Sequence, residues 1–318
     1  MKIAAIIPCY KVKKHIIGVI SNIGKEVSII YVIDDCCPEK TGKFVVANCK
    51  DPRVKVIFHP KNLGVGGAMI SGYKRSVTDG YDIAVKIDGD GQMDPKLLPK
   101  FIAPILRGEA DYAKGNRFFN PEYLSKMPKM RLIGNAGLSF INKVVSGYWD
   151  LMDPTNGYTA IHITALSMLP FDKLDNRYFF ESDMLFRLNI ARAVVIDIPM
   201  ISVYGDEESN LRIKKVLIEF PFKYLNRLFK RIFYNYFLRD FNLGSLEIIF
   251  GLGLTSFGFI FGLKQWIFSY FNHTEATSGT VMVAALPIIL GFQLILSAMQ
   301  YDVLSVPKKA LSKYRSEK

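Results

Sequence analysis

YDIAVKIDGDGQMDP, residues 81–95, decides how the chain is read. YDIAVKI is a short apolar-leaning run, and a run of this length and composition is a buried strand. It stops in a turn where Asp88 and Asp90 alternate with Gly89 and Gly91, with Gln92 one residue on. Two carboxylates at i and i+2 in a glycine-rich turn can face one hard cation, Mg²⁺ or Mn²⁺, which takes one or two protein carboxylates and fills its shell with water and phosphate oxygens. Asp88, Asp90 and Gln92 are therefore the candidate metal ligands. An EF-hand loop is excluded because its sixth and twelfth positions hold Met93 and Pro99. A phosphatase-type Asp-x-Asp-x-Thr is excluded by Gln92, and no Gly-Lys-Ser/Thr of a P-loop occurs.

Working outward, the same alternation recurs. Strands are expected at 2–8, 27–33, 54–59, 81–87 and 111–115, with helices at 12–23, 40–49, 65–78 and 95–107 between them. That order implies βαβ units, an α/β fold and a mostly parallel sheet. Ligands of such sheets bind beyond the carboxyl ends of the strands. Pro8 to Tyr10, Asp34-Asp35 and Asp88 to Asp90 all fall there. Beyond residue 115 helices are expected at 129–147 and 180–192, and strands at 157–163 and 194–199.

Half of the 318 residues are apolar, and the mean hydropathy is positive. Two runs of about 21 residues, 243–263 and 280–300, carry one charge between them, Glu247. A bilayer core needs about 20 residues of helix, so both are expected to span a membrane. The net charge of +12 concentrates outside them. Residues 212–240 hold eight Lys/Arg against Glu219 and Asp240, residues 303–318 hold five against Glu317, and 264–279 holds only Lys264 and Glu275. By the positive-inside rule both termini face the cytoplasm. Placement beside apolar spans points the basic charge at a membrane surface and away from nucleic acid. Residues 222–239, after an expected break at Pro221, alternate Leu225, Leu228, Phe229, Ile232, Phe233, Tyr236 and Phe237 with Lys223, Arg227, Lys230 and Arg231, the pattern of an amphipathic interfacial helix. MKIAAIIPCY is too short in apolar residues for a signal peptide. Cys9, Cys36, Cys37 and Cys49 show no CxxC spacing and read as reduced thiols.

Taken in order, IIPCY, VIDDCCPEKTG, KNLGVGGAMISGYKRS, VKIDGDGQMDP, KGNRF, DPTNGYTAI and FFESDMLFRL resemble the family-2 glycosyltransferases of GT-A fold. The members they resemble most make polyprenyl-phosphate sugars, such as dolichyl-phosphate mannose synthase and its bacterial undecaprenyl-phosphate relatives. The likeness covers roughly residues 2–215. It implies a GT-A-type domain over 1–211, basic amphipathic helices over 212–240, two spans within 241–302 and a basic cytoplasmic tail, 303–318. For the bacterial members the membrane is the inner one, and a homo-oligomer stays open.

The resemblance further implies a UDP- or GDP-linked sugar as donor, a polyprenyl phosphate as acceptor, Mg²⁺ or Mn²⁺ as cofactor, and inversion at the anomeric carbon. Pro8, Tyr10, Asp34, Asp35, Asp88 and Gly89 would hold the nucleotide sugar. Asp90 would be the main metal ligand. Arg117 would contact a donor or acceptor phosphate. Glu181 and Asp183 match the acidic pair near the acceptor. Ser209 and Arg212 fall where the family carries a basic acceptor-phosphate motif. Cys36-Cys37 depart from the small polar residues usual after the acidic pair. Two other readings remain: extension of a lipid-linked glycan at a sugar hydroxyl, which would need Asp183 or Glu181 as base, and a non-catalytic membrane-anchored nucleotide-sugar binder.

Overall fold

The computed structural model describes residues 1–119, 129–201 and 213–316. Ser209 and Arg212 lie outside the described residues. The strands are β1 (Ile3–Cys9), β2 (Ile29–Asp34), β3 (Val54–Phe58), β4 (Ile83–Lys86), β5 (Tyr112–Asn116), β6 (Thr159–His162) and β7 (Val195–Pro199). The main helices among them are α1 (Ile16–Ser21), α2 (Thr41–Asn48), α3 (Val65–Thr78), α4 (Leu98–Leu106), α5 (Lys129–Ser146), α6 (Ile163–Ser167) and α7 (Phe180–Ile190). They are followed by α8 (Ile213–Phe233), α9 (Leu243–Asn272), α10 (Ser278–Leu304) and α11 (Leu311–Ser316).

One seven-stranded sheet runs in the order β3-β2-β1-β4-β6-β5-β7. All pairs are parallel except the two made by β6, which lies antiparallel between β4 and β5. The architecture is α/β with a mostly parallel sheet, as the alternation implied. β1 and β2 are covered on both faces, with Ala4 to Ile7 and Ile30 to Ile33 inaccessible to solvent. That explains why they read as unbroken apolar runs. Each Ile buried this way contributes about 1.5–3 kcal/mol relative to an exposed one. Because β1, β2, β4 and β5 share a direction, their carboxyl ends meet at one edge, where β6 begins.

The chain divides into two compact units, Met1–Leu228 with Pro307–Lys318, and Phe229–Val306. Within 303–318, expected as a basic tail, part of the segment packs on the first unit. Ala310 is buried, and the Asp111 carboxylate accepts the Leu311 and Ser312 amides at 2.9 and 3.2 Å. Asp111 thereby satisfies the first amides of α11 as an N-cap residue would.

In the second unit α9 and α10 have 30 and 27 residues, both long and apolar enough to cross a membrane. They extend past the expected runs, to about 45 Å and 40 Å at 1.5 Å per residue. Only 17% and 11% of their most apolar windows are buried, unlike core helices of a soluble domain. They pack through small residues: a Cβ on Gly258 would lie 2.6 Å from the Ala284 carbonyl oxygen. Close backbone approach of this kind is how apolar helices associate without a hydrophobic driving force.

The break expected at Pro221 does not occur: α8 runs through that residue from Ile213 and passes into a π-helical turn, Tyr234–Leu238, closed by Arg239 N–H donating to Tyr234 O at 2.8 Å.

Candidate active site

The candidate site is built on the carboxyl ends of β1, β2, β4 and β5. Tyr10 follows β1 and is exposed; Pro8 lies within the strand. After β2 the two aspartates turn inward. Asp34 accepts the Cys37 and Gly42 amides at 2.7 and 2.5 Å, bracing the turn into α2. Asp35 accepts Leu63 N–H at 2.8 Å and Gly64 N–H at 2.7 Å and lies 2.8 Å from His59 Nδ1. His59 Nε2 is in turn 2.9 Å from Ser71 Oγ. Both carboxylates were read as nucleotide contacts. Both are buried, and their oxygens are engaged by the chain itself. They fix the loops after β2 and β3.

Asp88 and Asp90 are placed differently. Both are half-buried in the turn after β4. Gly91 takes φ +81°, a conformation that favours glycine. Gly89 packs under Val12, Ile16 and Ile7, where a Cβ would sit 3.1–3.2 Å from their side chains. Asp90 Oδ1 accepts the Gln92 amide at 3.0 Å. Asp88 Oδ1 is buried and receives no hydrogen bond among the described residues, although Lys86 Nζ is 3.3 Å away. An ammonium in ion-pair range but not aimed at the oxygen neutralises charge and leaves that oxygen able to serve another ligand.

Among the described residues no group of three or more His, Cys, Asp or Glu is disposed to hold a metal by itself. The oxygen donors of Asp88, Asp90 and Gln92 suit Mg²⁺ or Mn²⁺, which dehydrate reluctantly and complete their shells with water and phosphate. The turn fits that group, with Asp88 Oδ1 as the underused oxygen.

Glu181, in the first turn of α7, is brought to the same place by Lys86, whose Nζ donates to Glu181 Oε1 at 2.8 Å. Burial alone would lower the Lys86 pKa, but Asp88 and Glu181 outweigh it and hold the amine charged. A Cβ on Gly157 would sit 2.6 Å from both Lys86 Nζ and Asp88 Oδ2, so only glycine lets that backbone close over the pair. Lys86 and Gly157 were not singled out from the sequence. The available signal was one lysine inside an otherwise apolar strand.

Asp183, in the same first turn of α7, is engaged by other partners. It is 0% exposed, accepts Arg227 Nε at 2.6 Å and Arg187 Nε at 3.1 Å, and also takes the Asp175 amide at 3.0 Å. Two guanidiniums and one backbone amide thus engage the Asp183 carboxylate. Arg117, expected on a phosphate, forks onto Asp153 with contacts of 2.7 and 2.6 Å. Burial raises the Asp153 pKa, but the Arg117 guanidinium outweighs this and holds it below the usual carboxylate range.

Three of the four cations on the basic face of α8 are paired within the protein. Lys223 pairs with Asp175, Arg227 with Asp183, and Arg231 with Asp302. The opposite side carries Phe222, Leu225, Phe229 and Phe233, all exposed, Phe222 at 73%. α5 repeats this inversion, which the sequence reading missed. Ser139, Asn142 and Ser146 are buried, while Ile133, Phe140 and Ile141 stand outside. Asn142 Nδ2 donates to Ser182 Oγ at 2.9 Å. Ser182 Oγ is also 2.9 Å from Tyr224 Oη of α8. Helices of a soluble domain place these residue types the other way round.

A mostly parallel α/β sheet with an acidic turn after β4 is the frame of a GT-A type of domain. The comparisons agree. Residues 4–169 match the model of Glycosyl transferase family 2, and the chain belongs to that family. It is 32% identical over 233 residues to the UDP-N-acetylglucosamine–dolichyl-phosphate N-acetylglucosaminyltransferase of Methanococcus voltae, covering 69% of this chain and 92% of that one. It is 28% identical over 204 residues to the undecaprenyl-phosphate mannosyltransferase of Micrococcus luteus, covering 63% and 83%. The fold matches glucosyl-3-phosphoglycerate synthase of Mycobacterium tuberculosis, solved with Mn²⁺, UDP-glucose and phosphoglyceric acid, at TM-score 0.51 and 17% identity over 72% of this chain and 79% of that one.

Proposed function

We propose that this glycosyltransferase moves a sugar from a nucleotide sugar to a polyprenyl phosphate held in a membrane. One observation carries the choice of acceptor: the two carboxylates available as a base are both counter-ions, Glu181 to Lys86 and Asp183 to Arg187 and Arg227. A sugar hydroxyl needs a base to take its proton. A phosphate is ionised at neutral pH and needs none. The names of the relatives from M. voltae and M. luteus support the same class of acceptor.

In this reading an acceptor phosphate oxygen attacks the anomeric carbon. The bond from that carbon to the donor's phosphate oxygen breaks, and the nucleoside diphosphate leaves with the electron pair. One displacement inverts the carbon and moves no proton. Asp90, with Gln92 and Asp88, would hold Mg²⁺ or Mn²⁺, which when bound offsets the charge developing on the leaving diphosphate. Lys86 keeps Asp88 in place, Gly157 closes the cluster, and Tyr10 and Pro8 border the nucleotide. α9 and α10 would cross the bilayer with both termini cytoplasmic, following the charge outside them. The outward apolar faces of α5 and α8 would rest in the lipid interface. Apolar contact, not the paired cations of α8, is then the main attraction of the unit to lipid.

The test is a transfer assay in liposomes with undecaprenyl phosphate, Mn²⁺ or Mg²⁺ and a panel of labelled UDP- and GDP-sugars. Labelled lipid from one donor, abolished by chelator and by Asp90→Ala, is the expected result. Nucleotide-sugar binding with no product from any donor would favour the non-catalytic reading.

A further inference from the structure

Two carboxylates meet one buried ammonium at the end of β4. Glu181 Oε1 lies 2.8 Å from Lys86 Nζ and Asp88 Oδ1 lies 3.3 Å from it, and Asp90 is two residues beyond Asp88. Lys86 is 2% exposed, so water does not screen it. Gly157 packs against the pair, where a Cβ would lie 2.6 Å from both Lys86 Nζ and Asp88 Oδ2. Without the lysine, Asp88 and Glu181 would face each other uncompensated, and Asp88 would draw a bare divalent cation more strongly. With it, Asp88 is already partly neutralised, and its Oδ1 still lacks a hydrogen bond.

We infer that Lys86 is a positioning residue that weakens the site for metal alone, so that metal is held firmly only together with a nucleoside diphosphate. The inference rests on the metal reading of Asp88 and Asp90 given above. Glu181 sets the strength of the effect. It shares the lysine's charge with Asp88, and its removal gives the whole charge to Asp88. The consequence for the reaction is coupled loading and release: metal enters with the donor and leaves with the nucleoside diphosphate.

The experiment is Mn²⁺ titration of the detergent-solubilised full chain, followed by the loss of the free-ion electron paramagnetic resonance signal, with and without UDP or GDP. Three proteins are compared: the unaltered chain, Glu181→Gln, and Lys86→Met/Glu181→Gln, which removes one charge of each sign. Thermal melting checks that each is folded. The expected order of affinity for Mn²⁺ alone is Glu181→Gln weakest, the unaltered chain intermediate, and the double variant tightest, about tenfold above the unaltered chain, a step worth about 1.4 kcal/mol. A purely structural lysine would lower binding in both variants with melting. Folded variants with Mn²⁺ affinities equal to the unaltered chain, or in the reverse order, would overturn the inference alone. Absence of Mn²⁺ binding in all three, with nucleoside diphosphate present, would overturn the metal reading and the inference with it.

Discussion

At the strand ends, Asp88 and Asp90 remain half-exposed beside a single buried lysine. On α5 and α8 the arrangement is reversed, with polar groups turned into the protein and Phe222, Leu225, Phe140 and Ile141 outward. One region places Asp88 and Asp90 partly within reach of solvent. The other ties Lys223, Arg227 and Arg231 into ion pairs and offers carbon to the outside. In the proposed reading, a donor carrying a diphosphate and an acceptor carrying a lipid tail would call for these opposite surfaces.

Breaking the first region should have the largest effect. Asp90→Ala is expected to reduce transfer by at least about 10³-fold, the scale of losing the main electrostatic support of a leaving group, while thermal melting stays near that of the unaltered chain. A loss under tenfold in a folded variant would remove Asp90 from the metal site.

The internal pairs should respond in stability and not in chemistry. Asp183→Asn leaves Arg187 and Arg227 without their buried partner, and breaking such a pair costs about 3–5 kcal/mol. Denaturant or thermal unfolding should show that loss, with kcat of the folded fraction largely retained. A folded Asp183→Asn with native stability and transfer lowered by orders of magnitude would restore Asp183 as a base and favour a hydroxyl acceptor.

The outward faces give a middle-sized effect. Phe222→Asp/Phe140→Asp alters exposed positions, so melting should hold. Transfer to a bilayer-embedded polyprenyl phosphate should fall about tenfold, and transfer to a short, water-soluble analogue should not. Equal loss with both acceptors would separate these faces from lipid.

The smallest effect concerns pH. Asp153 has its folded pKa held down by Arg117. A depressed folded pKa contributes stability that is present above the unfolded value, near 3.9, and is lost as pH falls through the folded one. Arg117→Met should therefore move the acid-unfolding midpoint to higher pH. An unchanged midpoint would mean that the pair contributes nothing to folding.

The sheet was legible because its strands are covered on both faces and appear as apolar runs broken by helices at βαβ spacing. The acidic turn was legible because Asp88, Asp90, Gly91 and Gln92 lie within five residues. The pairings were not. Asp183 meets Arg227 at 44 residues' separation, and Glu181 meets Lys86 at 95, so local pattern carries no trace of either. Periodicity on 222–239 revealed two faces but not which one turns inward. That was settled by Asp175, Asp183 and Asp302, which face the helix from other elements. The α5 inversion was hidden for the same reason, since Asn142 needs Ser182 and Tyr224 to explain its burial. Pro221 was read as a break, but α8 continues through it.

The central claim is a phosphate acceptor that requires no base from the protein. The direct measurement is an acceptor competition in liposomes, with one productive labelled donor offered to undecaprenyl phosphate, to undecaprenol lacking the phosphate, and to an undecaprenyl-linked sugar. The account predicts labelled product from undecaprenyl phosphate alone. Label on the lipid-linked sugar, with undecaprenyl phosphate left unreacted, would contradict it.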